Sequence, residues 1–412
     1  MPADLKSRLD VALISYQDEM FDFLRDLLAI PTENPPGARY RECARLLAER
    51  LEELGLVVRW IEAPPAQAAN SSESSPGYCL LSDFGNGDAL LYFHGHYDVV
   101  PASAPEQFHP TLTGDSLFAR GAADMKGGLV AMIYAVRALR DLDVRLRGRI
   151  RVVFVPDEET GGARGTRYLA AQGLLEPGGV AMVTPEPTGG LIWNSSRGAI
   201  SFRVTVRGRP AHVGLHYLGA NAFEGMLAAA RALEDLKREV EARETGFPIG
   251  PAAARRSILL LGGQCRGGVN FNSVPEECWF TVDRRINPEE NLAEEKQRLL
   301  DVLEHQRARG VNLDVSFLQE EPASATPEGH PAARALASTV EEVYSGRPRF
   351  ELCPGLLETR FYAQLGIPAF AWSPALLTVA HGPQEFIKLA DVRRCALVYA
   401  LAACRLLGEE AA

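Results

Sequence analysis

The stretch RIRVVFVPDEETGGARGT, residues 149–166, decides the fold. It begins with a run rich in Val and Ile, which is typical of a buried strand. Three acids end the run, Asp157, Glu158 and Glu159, and the glycines after them allow a sharp turn into a helix predicted near 163–172. Adjacent carboxylates at the end of a buried strand repel one another and would protonate unless a positive charge offsets them. A bound cation would do so, because it holds its ligands deprotonated.

Strand and helix patterns alternate through the first part of the chain. Apolar runs of strand length predict strands, and apolar residues at helical spacing predict helices. The predicted strands are 56–61, 79–84, 89–95, 149–155 and 180–184, and the predicted helices are 4–29, 38–55, 125–139 and 163–172. Strands that alternate with helices indicate βαβ units, and therefore an α/β fold with a mainly parallel central sheet and helices on both faces.

A different pattern begins near residue 194. The stretch 198–208 alternates with period two, as a half-exposed antiparallel strand does. It opens a strand–helix–strand–strand–helix–strand order, after which the first alternation resumes. We therefore predict a catalytic domain in two segments, 1–193 and 319–412, interrupted by an α+β domain over 194–318 that has an ordinary domain size.

The composition limits the partner and the compartment. At 412 residues the chain is too long for one ordinary core. Its net charge of −10 argues against nucleic acid or an anionic membrane as the main partner, and no apolar run approaches the ~20 residues that span a bilayer.

Seven cysteines without a C-x-x-C pair favour reduced thiols in a cytoplasmic protein. The chain has no G-x-S-x-G elbow, phosphate-binding loop or dinucleotide-binding turn, which argues against serine hydrolases and nucleotide enzymes.

Possible metal ligands stand where the predicted strands end. In an open α/β sheet, ligands bind outside the carboxyl ends of the strands. The His, Asp and Glu residues in these places are His94, His96, Asp98, Asp124, Glu158, Glu159, Glu186, His381 and Glu385. Each segment alone is a weak signal, but five such segments at one sheet edge are hard to explain as solvated charge. Carboxylate and imidazole without thiolate suit zinc, or manganese or cobalt in its place.

Seven motifs occur in order and together resemble those of one enzyme family. They are GHYDVVP (95–101), GAADMKGG (121–128), DEETGG (157–162), PEPT (185–188), RPAHVG (209–214), GGVNFNSVP (267–275) and AHGPQEF (380–386). The family is that of the di-zinc metallopeptidases and deacylases, which includes acetylornithine deacetylase, succinyl-diaminopimelate desuccinylase, aminoacylase-1 and the glutamate carboxypeptidases. The resemblance implies a phosphorylase/hydrolase-like catalytic domain and a ferredoxin-like insertion that serves as a lid or in dimerisation.

The resemblance also implies a role for each residue of the metal site. The two metal ions would be held by His96 with Glu186 and by Glu159 with His381, and Asp124 would bridge them. A cis peptide often follows the bridging Asp in this family. Asp98 would fix the tautomer of His96. His94 shares a strand face with His96, but the family pattern G-H-x-D selects His96, so His94 is expected to pack.

Glu158 resembles the general base of the family. We expect Glu158 and Glu159 to point to opposite sides of an extended strand end, so that one binds metal while the other faces the substrate. Glu158 would take a proton from a metal-bridging water as hydroxide attacks an amide carbonyl, and then deliver it to the leaving nitrogen. Asp157 is expected to be a solvated or capping acid.

Substrate contacts are implied as well. His212 in RPAHVG would reach the active site of the other subunit in a homodimer and hydrogen-bond the oxyanion. Asn272, Arg285 and Arg360 resemble residues that hold the acyl group and a carboxylate of the substrate. The sequence leaves open whether Asn270 or Asn272, and whether Arg284 or Arg285, makes the contact.

The sequence therefore predicts a cytoplasmic hydrolase with two divalent ions, zinc first, with cobalt or manganese as substitutes. It would cleave the amide bond of an N-acyl amino acid, as a deacetylase, desuccinylase or aminoacylase does. One alternative is a metallo-carboxypeptidase or dipeptidase that acts on small peptides, and another is a catalytically silent member that binds a ligand. The stretch 373–377, SPALL, departs from the family's usual glycine pair and would shape the substrate pocket.

Overall fold

The computed structural model describes residues 4–65 and 75–408. Contacts among these residues divide the chain into two compact units. The first unit contains the described residues up to Asn194, Thr326–Phe350, and the described residues from Phe361 on. The second contains Ser195–Ala325 and Glu351–Arg360. The limits that the sequence predicts for the inserted domain, 194–318, stay a prediction.

Helices and strands alternate along most of the chain. The helices are α1 Leu5–Ser15, α2 Gln17–Leu28, α3 Tyr40–Glu53, α4 Gly127–Asp141, α5 Thr166–Ala171, α6 Ala222–Glu241, α7 Leu292–Ala308, α8 Pro331–Tyr344, α9 Thr359–Gln364 and α10 Leu389–Leu407. The strands are β1 Val58–Ala63, β2 Gly77–Gly85, β3 Ala89–His96, β4 Thr111–Thr113, β5 Ser116–Phe118, β6 Gly148–Val155, β7 Ala181–Thr184, β8 Ile192–Ser196, β9 Gly198–Arg207, β10 Ile258–Gly267, β11 Glu277–Ile286, β12 Leu313–Glu321, β13 Ser324–Ala325, β14 Phe350–Cys353, β15 Ala369–Ala371 and β16 Phe386–Lys388. In the described part of the chain, no helix has the length and apolar character that crossing a membrane requires.

The central sheet of the first unit has the strand order β1-β2-β6-β3-β7-β15-β8. Its middle strands, β6, β3, β7 and β15, are parallel, whereas β2 and β8 are antiparallel to their neighbours in this group. The predicted α/β class is confirmed, with a sheet that is parallel in its middle and antiparallel towards both edges. Because the middle strands are parallel, the turns that follow them gather at one edge. His96, at the end of β3, lies in register with Val155 at the end of β6.

Side chains of β6 alternate between two hydrophobic cores, one on each face of the sheet. Ile150, Val152 and Phe154 join the core that contains α4 and α10. Val153 and Val155 join a second core that contains α5. Each fully buried side chain of this kind contributes about 1.5–3 kcal/mol to folding. The strand is therefore buried on both faces, as its Val- and Ile-rich sequence predicts.

The second unit contains a four-stranded antiparallel sheet in the order β10-β11-β9-β12. Its elements follow along the chain as β9-α6-β10-β11-α7-β12, which is the ferredoxin-like arrangement that the sequence predicts. Alternate residues of β11, among them Phe280 and Val282, are buried in the core of this unit together with Leu233 of α6. Helix α6 is capped at its N-terminus by Asn221, whose side chain accepts the amide hydrogen of Phe223.

Two local features differ from the prediction. The single helix predicted over 4–29 is interrupted at Tyr16, so that α1 and α2 are separate. Apolar residues keep helical spacing on both sides of this residue, so periodicity alone does not reveal the break. The sequence also gave no signal for the small sheet β16-β5-β4, because strands of three residues are too short for an alternating pattern.

Candidate active site

Four side chains from four different segments meet at the carboxyl edge of the central sheet. His96 ends β3, Asp124 lies in the turn before α4, and Glu159 lies in the 3₁₀ turn Glu158–Thr160 after β6. One ligand-type atom from each of these three lies within 4.8 Å of the others. His381, between β15 and β16, joins them through its Nε2, which is 3.2 Å from Glu159 Oε1. Four of the five predicted metal ligands are therefore in direct contact.

Asp124 lies between the two histidines of this cluster. Its Oδ1 is 3.2 Å from His96 Nε2, and its Oδ2 is 3.3 Å from His381 Nε2. Each carboxylate oxygen thus faces a different imidazole, an arrangement that suits a carboxylate bridging two cations through its two oxygens. The peptide bond between Asp124 and Met125 is cis, as the family resemblance led us to expect.

Glu186, the fifth predicted ligand, follows β7 and is only 6% exposed. Its buried Oε1 has no hydrogen-bond partner among the residues that the structure describes. Burial raises the pKa of Glu186 well above its usual value, and the charges of Asp124 and Glu158 raise it further. A buried carboxylate oxygen without a partner is costly unless a cation or a proton satisfies it. With two imidazoles, three carboxylates and no thiolate, the cluster has a donor set that fits zinc, cobalt or manganese.

Hydrogen bonds to neighbouring carboxylates raise the pKa of both histidines in the cluster. Hydrogen bonds to Asp124 and Glu159 raise the pKa of His381 to about 10. Burial opposes protonation of His96, but hydrogen bonds to Asp124 and Asp98 outweigh it and raise the pKa of this imidazole well above its ordinary value. At neutral pH both imidazoles therefore favour the charged form and balance the neighbouring carboxylates. A divalent cation that binds here would displace these protons, because its ligands must be deprotonated.

Asp98 orients both His96 and the acidic turn. Nδ1 of His96 lies 3.0 Å from the backbone oxygen of Asp98 and 3.4 Å from its Oδ1. These acceptors favour a hydrogen on Nδ1 and leave Nε2 to face the cluster. The Asp98 carboxylate also accepts the amide hydrogens of Glu158 at 3.1 Å and of Glu159 at 3.2 Å. Asp98 therefore positions the acids of the turn in addition to the histidine.

Asn34 belongs to this arrangement, although the sequence did not single it out. It lies in the proline-rich loop 30–37, and its buried Nδ2 donates to Asp98 Oδ2 at 2.8 Å and to Thr160 Oγ1 at 2.9 Å. It thereby links the loop, Asp98 and the end of the acidic turn. The only local signal was an amide side chain directly before two prolines, which marks a turn and carries no information about its distant partners.

Two expectations about the acidic stretch are wrong. Asp157 was expected to be solvated or to cap a helix. It is 2% exposed, and it makes no side-chain capping bond to the 3₁₀ turn that it precedes. Its carboxylate instead accepts hydrogen bonds from Arg164 Nη2 at 2.6 Å and from Arg164 N at 2.9 Å. The arginine offsets the carboxylate charge and makes its burial possible. Glu158 and Glu159 do not extend the strand, because Glu158–Thr160 form a 3₁₀ turn. The alternation of strand side chains therefore does not separate the roles of the two glutamates.

His94 is engaged away from the cluster. It is completely buried, with Nδ1 3.0 Å from the Tyr362 hydroxyl and Nε2 3.3 Å from the Thr166 hydroxyl. Its ring also packs edge-on against Tyr362. Both ring nitrogens therefore have partners, which fits the packing role expected for this histidine.

His212, Asn272 and Asn270 lie in the second unit. His212 is exposed, and its Nδ1 accepts the amide hydrogen of Gly214 at 3.1 Å, which caps the short 3₁₀ helix that follows. Asn272 is partly exposed and Asn270 is exposed. The exposure does not choose between the two asparagines, and the roles of His212 and Asn272 stay predictions.

The three arginines considered for substrate binding have different surroundings. Arg284 is completely buried and bound by two glutamates of its own unit. Arg285 is partly exposed and pairs with Asp283 at 2.7 Å. Arg360 is buried and pairs with Glu321 at 2.9 Å. Of the two arginines that the sequence left open, Arg285 is the one that a ligand can reach. Substrate binding by Arg285 and by Arg360 stays a prediction.

Comparisons with known proteins show to which family and which fold the chain is similar. The model of a family described as peptidase family M20/M25/M40 matches residues 92–405. A succinyl-diaminopimelate desuccinylase of Nitrosomonas eutropha is 27% identical over 380 residues, which cover 89% of this chain and 94% of the relative. Human carnosine dipeptidase 1 has a TM-score of 0.74 at 17% identity, over 98% of this chain and 99% of that chain. The M20 family metallo-carboxypeptidase Sso-CP2 of Sulfolobus solfataricus has a TM-score of 0.75 at 19% identity, over 94% and 99%. These two solved structures share the fold of this chain.

Proposed function

Because the chain belongs to peptidase family M20/M25/M40 and is a metal-dependent hydrolase, we propose that it cleaves the amide bond of an N-acyl amino acid with two zinc ions. The observation that carries the proposal is the Asp124 carboxylate, whose two oxygens face His96 and His381 separately. The unpartnered oxygen of Glu186 supports it, since a cation would satisfy that oxygen.

The proposed ligands form two sets around Asp124. One ion would be held by His96 and Glu186, the other by Glu159 and His381, and Asp124 would contribute to both. Such ions, when bound, polarise an amide carbonyl and lower the pKa of a water molecule towards ~7. Zinc is the proposed metal, and cobalt or manganese would substitute because they accept the same oxygen and nitrogen ligands.

The remaining chemistry is assigned to residues of the chain. Glu158 takes the proton of the attacking water and delivers it to the leaving nitrogen. Asp98 fixes the backbone of Glu158, and Asn34 in turn fixes Asp98. Arg285, which is partly exposed, is the proposed binding group for a substrate carboxylate, because a guanidinium binds carboxylate through two parallel hydrogen bonds. Arg360 is proposed as a second such group, and a substrate carboxylate would have to take the place of its buried partner Glu321.

Deacylation is proposed ahead of peptide cleavage. The match to a desuccinylase over 94% of its length supports it. A carboxypeptidase or dipeptidase is the second candidate, since a peptide bond is an amide bond like that of an N-acyl amino acid.

The loop 373–377 indicates what kind of substrate the site accepts. Ser373 Oγ donates to the backbone oxygen of Glu186 at 2.7 Å, and Leu376 and Leu377 are each 45% exposed. This loop is thus hydrogen-bonded to the segment that carries the proposed metal ligand Glu186. Its two exposed leucines favour an apolar group on the substrate.

A substrate panel tests the proposal. We expect kcat/KM for N-acyl amino acids with apolar groups to exceed that for dipeptides of the same residues by at least about tenfold. Zinc-, cobalt- and manganese-loaded protein should be compared, with chelated protein as the control. Faster cleavage of dipeptides would favour the peptidase, and absence of turnover by every loaded form would favour the silent ligand-binding alternative.

We also propose a cytoplasmic homodimer. The seven cysteines are unbridged, which fits a reducing compartment. In the second unit, several apolar side chains near His212 in sequence are exposed, namely Val213, Leu215, Tyr217, Leu218 and Phe223. Exposed apolar groups in such number favour contact with another protein surface. The dimer would bring His212 of one subunit to the active site of the other, where it would hydrogen-bond the oxyanion.

A complementation experiment tests whether His212 of one subunit acts in the active site of the other. The variants His212→Ala and Glu158→Gln are each expected to be inactive as homodimers. Their mixed dimer would contain one site with both residues intact, so a co-expressed mixture should regain about one quarter of the wild-type activity. Sedimentation equilibrium should show a dimer in every sample. A fully active monomer, or a dimer mixture that regains nothing, would contradict the proposal.

A further inference from the structure

Arg120 and Glu385 form an ion pair beside the metal cluster, although neither is a proposed ligand. Arg120 Nη1 lies 2.6 Å from Glu385 Oε2, and the two side chains are 1% and 0% exposed. Taking two charges out of water is costly, and apolar residues of similar volume are often as stable. Stability alone therefore does not explain why the chain has a buried ion pair at this place. The other hydrogen bonds of Arg120 and Glu385 indicate a role for it.

Glu385 holds the turn that carries Asp124. Its Oε1 accepts the amide hydrogens of Ala123 at 3.0 Å and of Asp124 at 3.1 Å. These amides belong to the irregular turn Ala122–Lys126, in which Asp124 has non-helical backbone angles. Because such a turn lacks the regular hydrogen bonds of a helix, an outside acceptor is needed to fix it.

Arg120 holds the loop that carries His381. Its Nη2 donates to the backbone oxygen of His381 at 3.1 Å. His381 has a φ of 61°, a left-handed conformation that non-glycine residues adopt only when surrounding contacts hold them there. The guanidinium therefore bonds to Glu385 with one nitrogen and to the His381 backbone with another.

A pair of short strands keeps this arrangement in place. Strand β5 pairs with β16, with Phe118 opposite Phe386, and the amide of Ala119 donates to the backbone oxygen of Glu385 at 3.1 Å. Arg120 and Glu385 stand directly beyond these paired ends. The backbone pairing thus places the two side chains next to each other, in contact with the segments that carry Asp124 and His381.

We infer that the Arg120–Glu385 pair is a positioning clamp that holds the Asp124 carboxylate against the His381 imidazole, so that the chain binds a second ion beside the first. The inference rests on the proposed two-ion site. His96 and Glu186 are held by other contacts, from Asp98 and Ser373 respectively. Loss of the Arg120 bond to the His381 backbone, with the Asp124 turn still held, should therefore weaken the ion at His381 and Glu159 more than the ion at His96 and Glu186.

The double variant Arg120→Met with Glu385→Gln isolates this effect. It leaves no lone buried charge, and the Gln carbonyl oxygen can still accept the amides of Ala123 and Asp124. The bond to the His381 backbone is the contact that it removes. We expect affinity for the second zinc ion to fall about 10- to 100-fold, measured by calorimetry on the purified full chain. With manganese, the coupled spin-resonance signal of an ion pair should give way to that of an isolated ion.

A matched control is the pair Asp83 and Arg151 on β2 and β6, whose carboxylate and guanidinium lie 2.7 Å apart. The variant Asp83→Asn with Arg151→Met removes an ion pair from the central sheet and leaves the segments that carry the proposed metal ligands unchanged. It should bind two ions as the wild type does. Binding of two ions by the Arg120/Glu385 variant with unchanged affinity would overturn the clamp.

A second variant keeps the test decisive if the double variant does not fold. Arg120→Lys retains the buried charge, but its one nitrogen, on a shorter side chain, cannot occupy both positions from which Nη1 and Nη2 of the guanidinium bond to Glu385 and to the His381 backbone. It should also weaken the second ion, by about tenfold or more, and unchanged affinity would overturn the inference. A wild-type protein that binds fewer than two ions would instead contradict the proposed two-ion site itself, so the two failures are distinguishable.

Discussion

Glu158→Gln is expected to lower kcat by about 10²–10⁴-fold, the usual contribution of a general base, and to leave two ions bound. The amide of Gln has nearly the shape of the carboxylate but cannot accept a proton from water at neutral pH. The variant should fold normally, because the contact that fixes this residue to Asp98 is made by its backbone nitrogen. KM should stay near the wild-type value, since the change affects the proton transfer and leaves the binding groups in place.

The neighbouring glutamate gives the matched control for this prediction. Glu159→Gln removes a carboxylate whose Oε1 lies 3.2 Å from His381 Nε2, so it should reduce the metal content as well as the rate. Metal analysis and steady-state kinetics on both variants separate a base from a ligand. If Glu158→Gln retained activity, the base would have to be another residue. If it lost an ion, Glu158 would be a ligand.

The sequence predicted that the segments carrying the proposed ligands meet at one edge of the sheet, because their position depends on topology. His96 ends a strand of the parallel group, Glu159 and Glu186 follow two others, and parallel strands end at the same edge of a sheet. The period-two pattern over 198–208 likewise predicted an antiparallel strand, which is β9, since the strand period is two in any context. These features could be predicted because each depends on a few neighbouring residues and a general rule of connectivity.

The contacts around the ligands could not be predicted in this way. Asn34 contacts Asp98 across 64 positions of the chain, and Arg120 contacts Glu385 across 265. No local pattern relates residues so far apart in sequence. Asp157 was misjudged for a related reason, because a charged residue is usually exposed and only the folded chain shows that Arg164 neutralises it.

Replacing Asp124 is expected to have an effect as large as replacing Glu158, but through the metal. Burial opposes ionisation of Asp124, yet hydrogen bonds from His381 and His96 hold its pKa well below the usual range. It therefore carries its negative charge at neutral pH. Asp124→Asn removes the charge and turns an amide group towards one of the two imidazoles. We expect both ions to bind more weakly, and kcat/KM to fall by about 10⁴-fold or more because the activation of water is lost.

Metal addition distinguishes this outcome from the loss of a general base. Chelated wild-type protein should regain activity when zinc, cobalt or manganese is returned, whereas Asp124→Asn should not regain it at any ordinary metal concentration. The variant Asp141→Asn, at the end of α4, removes a carboxylate from the helix that follows the same turn and should behave as the wild type does. Two ions bound with normal affinity by Asp124→Asn would show that Asp124 does not bridge them. The two histidines would then have to bind their ions independently, although both contact this one carboxylate.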